Sequence, residues 1–297
     1  MNNPFFSVII PTFNRAERIR TTIQSVLIQS FGDYELLVVD DGSTDGTRSV
    51  VEEFGDPRIQ YLGMENRERG AARNAGVKAS RGRYVTFLDS DDLWYPAHLD
   101  QVHRTLQARE SPPVFHQAYE VVNEEGEVIW RPEIIGSTLN RLLFTRGNVM
   151  SCQGVFLRRD VATANPFHEA RDLAGLEDWE LWIRLSTQYE ILHDPLITSA
   201  LVQHKQRSVS SSQADQLVQR VRAFNSRIAG NPAILRSFPD LLPALWANTM
   251  TYLGLHMSEI PGQKVQALSY WVKGVSRSPS VIFQRRTMAT FRNILFS

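Results

Sequence analysis

The run Tyr84-Val85-Thr86-Phe87-Leu88-Asp89-Ser90-Asp91-Asp92 decides how the rest of the chain is read. A β-branched and aromatic stretch ends in three carboxylates within four residues. Its apolar part reads as a buried strand. Carboxylates this close repel, and each raises its neighbours' pKa unless a cation neutralises them. A hard divalent ion, Mg²⁺ or Mn²⁺, takes oxygen ligands and often shares them with phosphates. The competing reading makes Asp91 or Asp92 a cap on the next helix. The neighbouring segments favour the ion.

Upstream, Phe5 to Ile10 is an apolar strand that stops at Pro11-Thr12-Phe13-Asn14, because proline cannot continue a central ladder. Ile19, Ile23, Val26 and Leu27 follow helical spacing toward Gly32. Tyr34 to Val39 is nearly continuous in apolar residues, which suits a parallel strand covered on both faces. It too ends in acid, Asp40-Asp41-Gly42-Ser43-Thr44-Asp45. A helix beginning near Thr44 or Asp45 runs to the break at Asp56-Pro57, and Arg58 to Leu62 is a third strand. Gly70 to Ala79 reads as a small-residue helix that leads into Tyr84. This β-α-β-α-β-α-β order predicts a doubly wound α/β sheet with right-handed crossovers. Ligands of such sheets bind beyond the carboxyl ends of the strands. The polar segments 11–15, 40–45 and 89–92 all fall at those ends.

Downstream, Leu99, Val102 and Leu106 mark a helix, and Val114 to Trp130 reads as two antiparallel strands around Asn123-Glu124-Glu125-Gly126. Gly154 to Leu157 is another strand. Gly175 to Leu185 is helical, with Leu181, Trp182 and Leu185 on one face. Ile197 to Val202 is a last strand, followed by His204. Serine then dominates from Ser208 to Ser212, a linker composition, and the remainder is helical, roughly 214–229, 241–257 and 263–275. Two domains are expected, 1–207 and 213–297.

Composition excludes some classes. Of 297 residues, 42% are hydrophobic and 22% charged, ordinary for a globular chain. Lys+Arg and Asp+Glu are both 32, so no global field draws the protein to nucleic acid. The single cysteine, Cys152, rules out an internal disulfide and fits a reducing compartment. No signal-peptide pattern opens the chain. The uncharged stretch Leu241 to Ser258 carries Pro243, Asn248, Thr249, Thr251 and His256, so it reads as a packed helix, not a membrane span. A cytoplasmic protein is expected. After Glu259 there is no acid but six bases, Lys264, Lys273, Arg277, Arg285, Arg286 and Arg292, interleaved with Trp271, Val281, Ile282, Phe283 and Phe291. This segment is either an amphipathic tail touching anionic lipid at the inner face of a membrane or a solvated basic face.

Several motif readings fail on context. Asp41 to Glu52 approximates the spacing of an EF-hand loop, but a strand, not a helix, precedes it. Neither G-x-G-x-x-G nor a P-loop occurs, and there is no G-x-S-x-G.

Taken together, Ser7-Val-Ile-Ile-Pro-Thr-Phe-Asn14, Val38-Val-Asp-Asp-Gly-Ser-Thr-Asp45, Ala72-Arg-Asn-Ala-Gly76, Phe87-Leu-Asp-Ser-Asp-Asp92 and Glu177-Asp178-Trp179 resemble the motifs of family 2 glycosyltransferases, in their order and spacing. The resemblance covers roughly residues 5–205. It implies a GT-A fold, a nucleotide-diphospho-sugar donor, a Mn²⁺ or Mg²⁺ cofactor and inversion at the anomeric carbon. By match to the motifs, Pro11, Thr12 and Asn14 would border the nucleotide. Asp41 would accept a hydrogen bond from the base, most simply the imide N–H of uracil or thymine, so UDP- or dTDP-sugars are favoured. Arg73 would face the diphosphate. Asp89 would sit near the ribose and a metal-bound water, and Asp91 would ligate the metal directly. His204 resembles a late metal ligand of some relatives, and a lone histidine also serves structural ends.

The resemblance places a general base at Asp178, with Glu177 the adjacent alternative. Both are also acids that a helix N-terminus favours. Trp179 and Trp182 either line an acceptor groove or fill the core. A glycan, a lipid-linked saccharide or a protein side chain could accept the sugar, with surface-polysaccharide assembly the expected setting. The rival from another class is a non-catalytic nucleotide-sugar-binding scaffold on the same fold.

Overall fold

The computed structural model describes residues 3–134, 136, 138–204 and 214–296. The serine-rich stretch 208–212 lies outside them. The chain runs β1 (Phe6–Thr12), α1 (Ile19–Leu27), β2 (Tyr34–Asp40), α2 (Thr47–Glu52), β3 (Ile59–Gly63), α3 (Arg69–Ala79), β4 (Tyr84–Phe87), β5 (Leu93–Trp94) and α4 (His98–Ala108). It continues with β6 (Val114–Val122), β7 (Val128–Trp130), α5 (Leu142–Thr145), β8 (Val155–Arg158), α6 (Arg159–Ala164), α7 (Glu177–Ser186) and β9 (Ile191–Val202). Five helices close it: α8 (Ala214–Ala229), α9 (Pro232–Ser237), α10 (Leu242–Ser258), α11 (Lys264–Arg277) and α12 (Arg285–Phe296).

Two compact units form. The first comprises residues 1–138, 150–171 and 189–204, and the second 139–149, 172–188 and 205–297. The first holds the sheet, in the order β3-β2-β1-β4-β8-β6-β9-β5 with β7 beside β6. β3, β2, β1 and β4 are mutually parallel. β8 runs antiparallel to both β4 and β6, and β9 lies parallel to β6.

β1 and β2 are buried along their whole length, as their unbroken apolar runs require of strands covered on both faces. Phe6, Val8 and Ile10 of β1 pack with Leu36 and Val38 of β2 and with Ile19, Ile23 and Val26 of α1. Each such side chain contributes roughly 1.5–3 kcal/mol by leaving water. α3 closes on β1 because residue 76 is glycine: a Cβ there would stand 2.5 Å from the Ile9 Cγ2 methyl.

β1 runs two residues further than a proline stop predicts. Pro11 still pairs in register with Val39 of β2. Pairing with β4 ends at Ile9–Phe87, and Ile9 O accepts the Leu88 N–H. Backbone groups alternate sides along a strand, so residue 11 directs its nitrogen to the side on which β4 has already stopped. The missing N–H costs no ladder bond. β9 is also longer than expected, starting at Ile191 with Pro195 inside it; its pairing with β6 shifts register between Gln117 and Tyr119 and so accommodates the proline.

The second unit is helical. Gly274 brings α11 against α10, since a Cβ there would lie 3.0 Å from Ala247 O. The Trp271 indole donates to Thr287 O at 3.0 Å and joins α11 to α12. Among the described residues no helix is long and apolar enough to cross a membrane.

Candidate active site

In the first unit the carboxyl ends of β1, β2 and β4 meet, and the loops that leave them are tied together by hydrogen bonds. Asn14 stands at φ 51°, the left-handed region that asparagine tolerates better than most residues. From there its Oδ1 accepts the Thr44 N–H and its own N–H donates to Ser43 Oγ, both at 2.8 Å. Asp45 accepts the Ala16 N–H at 3.1 Å and the Thr47 N–H at 3.0 Å, so its carboxylate is occupied by backbone. Thr12 pairs with Asp40, and its carbonyl accepts the Asp41 N–H.

Asp40 and Asp41 part company here. Asp40 accepts the Ser43 N–H and the Tyr61 hydroxyl, and burial with this bond pushes the phenol up to about 12. Asp41 accepts the Arg67 N–H at 2.8 Å and, more weakly, the Asn66 side-chain amide at 3.3 Å. Burial pushes its carboxyl upward, against the pull of the Arg67 and Glu68 backbone N–H groups. Asn66 in turn accepts from Arg171 at 2.9 Å.

The three acids after β4 also divide. Asp89 accepts Arg73 Nη2 at 2.7 Å, and that arginine is buried with its guanidinium 5.3 Å from the Phe167 ring centroid. Asp91 Oδ2 lies 3.0 Å from His204 Nε2 and 3.9 Å from Arg15 Nε. Asp92 is fully buried; its Oδ1 accepts the Val202 N–H at 2.9 Å and its carbonyl accepts the Thr22 hydroxyl. That bond ties the end of β9 to the β4 loop and thereby sets His204 beside Asp91. The sequence offers no sign of this tie, because the partners lie 110 residues apart.

A carboxylate with an imidazole is a donor set that Mn²⁺ accepts readily and Mg²⁺ less so. Among the described residues no group of three or more His, Cys, Asp or Glu is placed to hold a metal. The pair therefore fits an ion that draws its remaining ligands from phosphate and water, the usual habit of such ions at phosphoryl groups.

Glu177 and Asp178 lie in the second unit, in the first turn of α7. Glu177 is buried and accepts the Gly175 N–H at 2.6 Å. Asp178 is half-buried; its Oδ2 accepts the Asn148 amide at 2.9 Å and its Oδ1 the Trp179 N–H at 2.7 Å. Burial, with the Asp178 charge adding to it, pushes the Tyr252 hydroxyl upward. Trp179 and Trp182 are core residues: both are buried, and the Trp179 indole donates to Leu143 O. Arg184 pairs with Glu180 one turn back, at 3.1 Å.

Residues 7–164 match the family described as Glycosyl transferase family 2. The chain belongs to that family. An uncharacterised glycosyltransferase of Rickettsia bellii is 30% identical to it over 203 residues, 65% of this chain and 29% of that protein. Escherichia coli WfgD, a UDP-Glc:α-D-GlcNAc-diphosphoundecaprenol β-1,3-glucosyltransferase, is 35% identical over 188 residues, 62% of this chain and 71% of WfgD. The family 2 chain thus spans under a third of the first relative and about seven-tenths of the second.

Among solved structures, S. aureus TarS 1–349 with UDP-GlcNAc superposes with a TM-score of 0.63 at 18% identity, over 93% of this chain and 90% of that one. The mannosyltransferase PcManGT of Pyrobaculum calidifontis, with GDP-Man and Mn²⁺, gives 0.61 at 19% identity, over 99% and 88%. These likenesses show the fold, which is GT-A with C-terminal helices.

Proposed function

We propose that this chain transfers a sugar, with inversion, from a nucleoside diphosphate to an acceptor hydroxyl. The pairing of Asp91 with His204 beyond β4 carries the reading. Membership of family 2 supports it. Asp41 accepts the imide N–H of a uracil or thymine, while Thr12, Pro11 and Asn14 border the nucleotide. Arg73, a permanent cation, adds positive potential beside the diphosphate, and Asp89 orients it and lies close to the ribose. Asp91 and His204 would hold Mn²⁺ or Mg²⁺, which when bound neutralises charge developing on the departing diphosphate.

Asp178 is the general base. An acceptor hydroxyl is a poor nucleophile until a carboxylate takes its proton. The acceptor oxygen bonds to the anomeric carbon as the bond from that carbon to the phosphate oxygen breaks. The electron pair leaves with the nucleoside diphosphate, and the proton goes to Asp178. Glu177 is the less suited of the two, because it is buried and bound to the Gly175 N–H.

WfgD's own acceptor supports a lipid-linked diphosphate saccharide as the acceptor class and surface-polysaccharide assembly as the setting. The test is turnover of UDP- and dTDP-sugars with an alkyl-diphosphate-linked N-acetylglucosamine, with the product anomer read by NMR. An α-linked donor should give a β-linked product. A retained anomer overturns the inverting mechanism, and nucleotide-sugar binding without turnover favours the scaffold reading.

A further inference from the structure

Two helices of the second unit each leave an apolar stripe in solvent. On α11, Val265, Leu268 and Val272 recur at three- and four-residue intervals, so they share one face, and all three are exposed. The opposite face carries Ala267 and Gly274, which are buried. On α12, Met288, Phe291 and Leu295 repeat the pattern and are exposed, while Thr287 and Thr290 are buried. The turn between the helices, Pro279–Phe283, adds Phe283 at 84% exposed, and Val265 reaches 82%. Scattered surface apolar groups need no explanation, but an apolar stripe repeated on two linked helices does.

Charge identifies the occupant. Between residues 260 and 297 there is no Asp or Glu, against six Lys and Arg. Arg286 is turned inward, donating to Arg146 O at 2.9 Å. Lys273 and Arg292 are exposed on the two helices that carry the stripes, and Arg277 lies 5.8 Å from the Trp246 ring centroid. Apolar stripes flanked by bases, on helices too short to span a bilayer, are the pattern of helices that lie in a membrane interface. A second copy of this chain is a poor occupant, because a two-fold contact through this face would set bases against bases.

We propose that α11, the 279–283 turn and α12 form a docking face for an anionic phospholipid surface, with Phe283 and Val265 entering the headgroup layer. This holds whichever sugar the protein transfers. The test is flotation of the full chain with vesicles of phosphatidylcholine alone and of phosphatidylcholine mixed with phosphatidylglycerol. Binding is expected to the mixed vesicles only and to weaken as salt rises. Phe283→Asp and Val265→Asp, both at exposed positions, should each lower binding at least tenfold. Lys273→Ala and Arg292→Ala should each weaken it roughly fivefold, the value of one base near an anionic surface. Ile28→Asp, exposed in the first unit, should leave it unchanged. Absence of flotation with anionic vesicles overturns the proposal. So does flotation that ignores Phe283 and Val265, and so does self-association abolished by Phe283→Asp without lipid binding.

Discussion

Asn148 holds Asp178 by its side-chain amide, Nδ2 to Oδ2, at 2.9 Å. The second oxygen of that carboxylate is held by the Trp179 N–H, so its rotamer is set from two sides. Asp178→Asn keeps the shape and removes the base. Transfer should fall about 10²- to 10⁴-fold, while donor affinity by calorimetry stays within a factor of a few of wild type.

The loop that carries Asn148 rests on α12. Gly147 has φ 91°, and a Cβ on it would come 2.3 Å from Arg286 Nη2. Arg286 donates to Arg146 O and Asn248 O, and burial lowers its pKa to about 10, which leaves it charged at neutral pH. Gly147→Ala strains both the backbone and this contact and should cost about 1–3 kcal/mol in thermal unfolding. Asn148→Ala should cost less stability but lower kcat about tenfold or more through misplacement of Asp178. Equal losses of kcat in Asn148→Ala and Asn148→Gln, with a smaller loss in unfolding than Gly147→Ala shows, would fit that role.

Nucleotide binding should carry the titration of Asp41. Its carboxyl is raised by burial, so protonation begins at a higher pH than for a free aspartate. A carboxylate accepts an imide N–H better than a carboxylic acid does. Affinity for the nucleotide should therefore fall on mild acidification, and Asp41→Asn should bind more weakly but without that slope. Calorimetric titrations across the acid range read both effects.

Acid should also loosen the first unit through its buried histidines. His116 Nδ1 lies 3.0 Å from His193 Nδ1, and His98 Nδ1 lies 2.7 Å from Thr198 Oγ1. Burial lowers all three, His98 to about 3, so they are neutral in the folded protein. The unfolded chain takes up protons below about pH 6.5 and the folded one does not. Stability should thus be full above that pH and fall as pH drops from it toward 3, by up to about 1.4 kcal/mol per pH unit for His98, with His116 and His193 acting in the same direction. His98→Gln, whatever its own cost, should show a shallower acid limb in the plot of Tm against pH.

Arg73 is 1% exposed and its partner Asp89 21%. Arg73→Ala removes a buried guanidinium from this pair and from the Phe167 ring and should destabilise by roughly 1–3 kcal/mol. Arg73→Lys should rescue little of this, since an ammonium lacks the planar fork. Denaturant midpoints of the two variants check it.

What the sequence shows of this fold is local. The strands β1, β2 and β4 announce themselves by continuous apolar runs, and the acids 40–45 and 89–92 mark where they stop. Pairing between distant segments leaves no such trace. The Asp92 bond to Val202 exists because β5 joins β9 antiparallel, with Leu93 opposite Ala200, and nothing in residues 89–92 or 197–204 says so. Asn148 stands 30 residues from Asp178 in a loop without periodicity. The second unit gathers residues 139–149 and 172–188 with the C-terminal helices, a grouping that burial sets and local pattern does not record. α12 was legible only as bases among apolar residues, because its buried side is made of Thr287 and Thr290.

The most direct measurement is thermal unfolding of wild type and Asp91→Ala with UDP-, dTDP- and GDP-sugars, with and without Mn²⁺. A ligand that binds only the folded state raises Tm, and a hundredfold excess over Kd adds about 2.7 kcal/mol. The expected result is a Mn²⁺-dependent rise with a UDP- or dTDP-sugar that Asp91→Ala abolishes. If no nucleotide-sugar shifts wild type with or without the metal, the donor site at the ends of β1, β2 and β4 is contradicted.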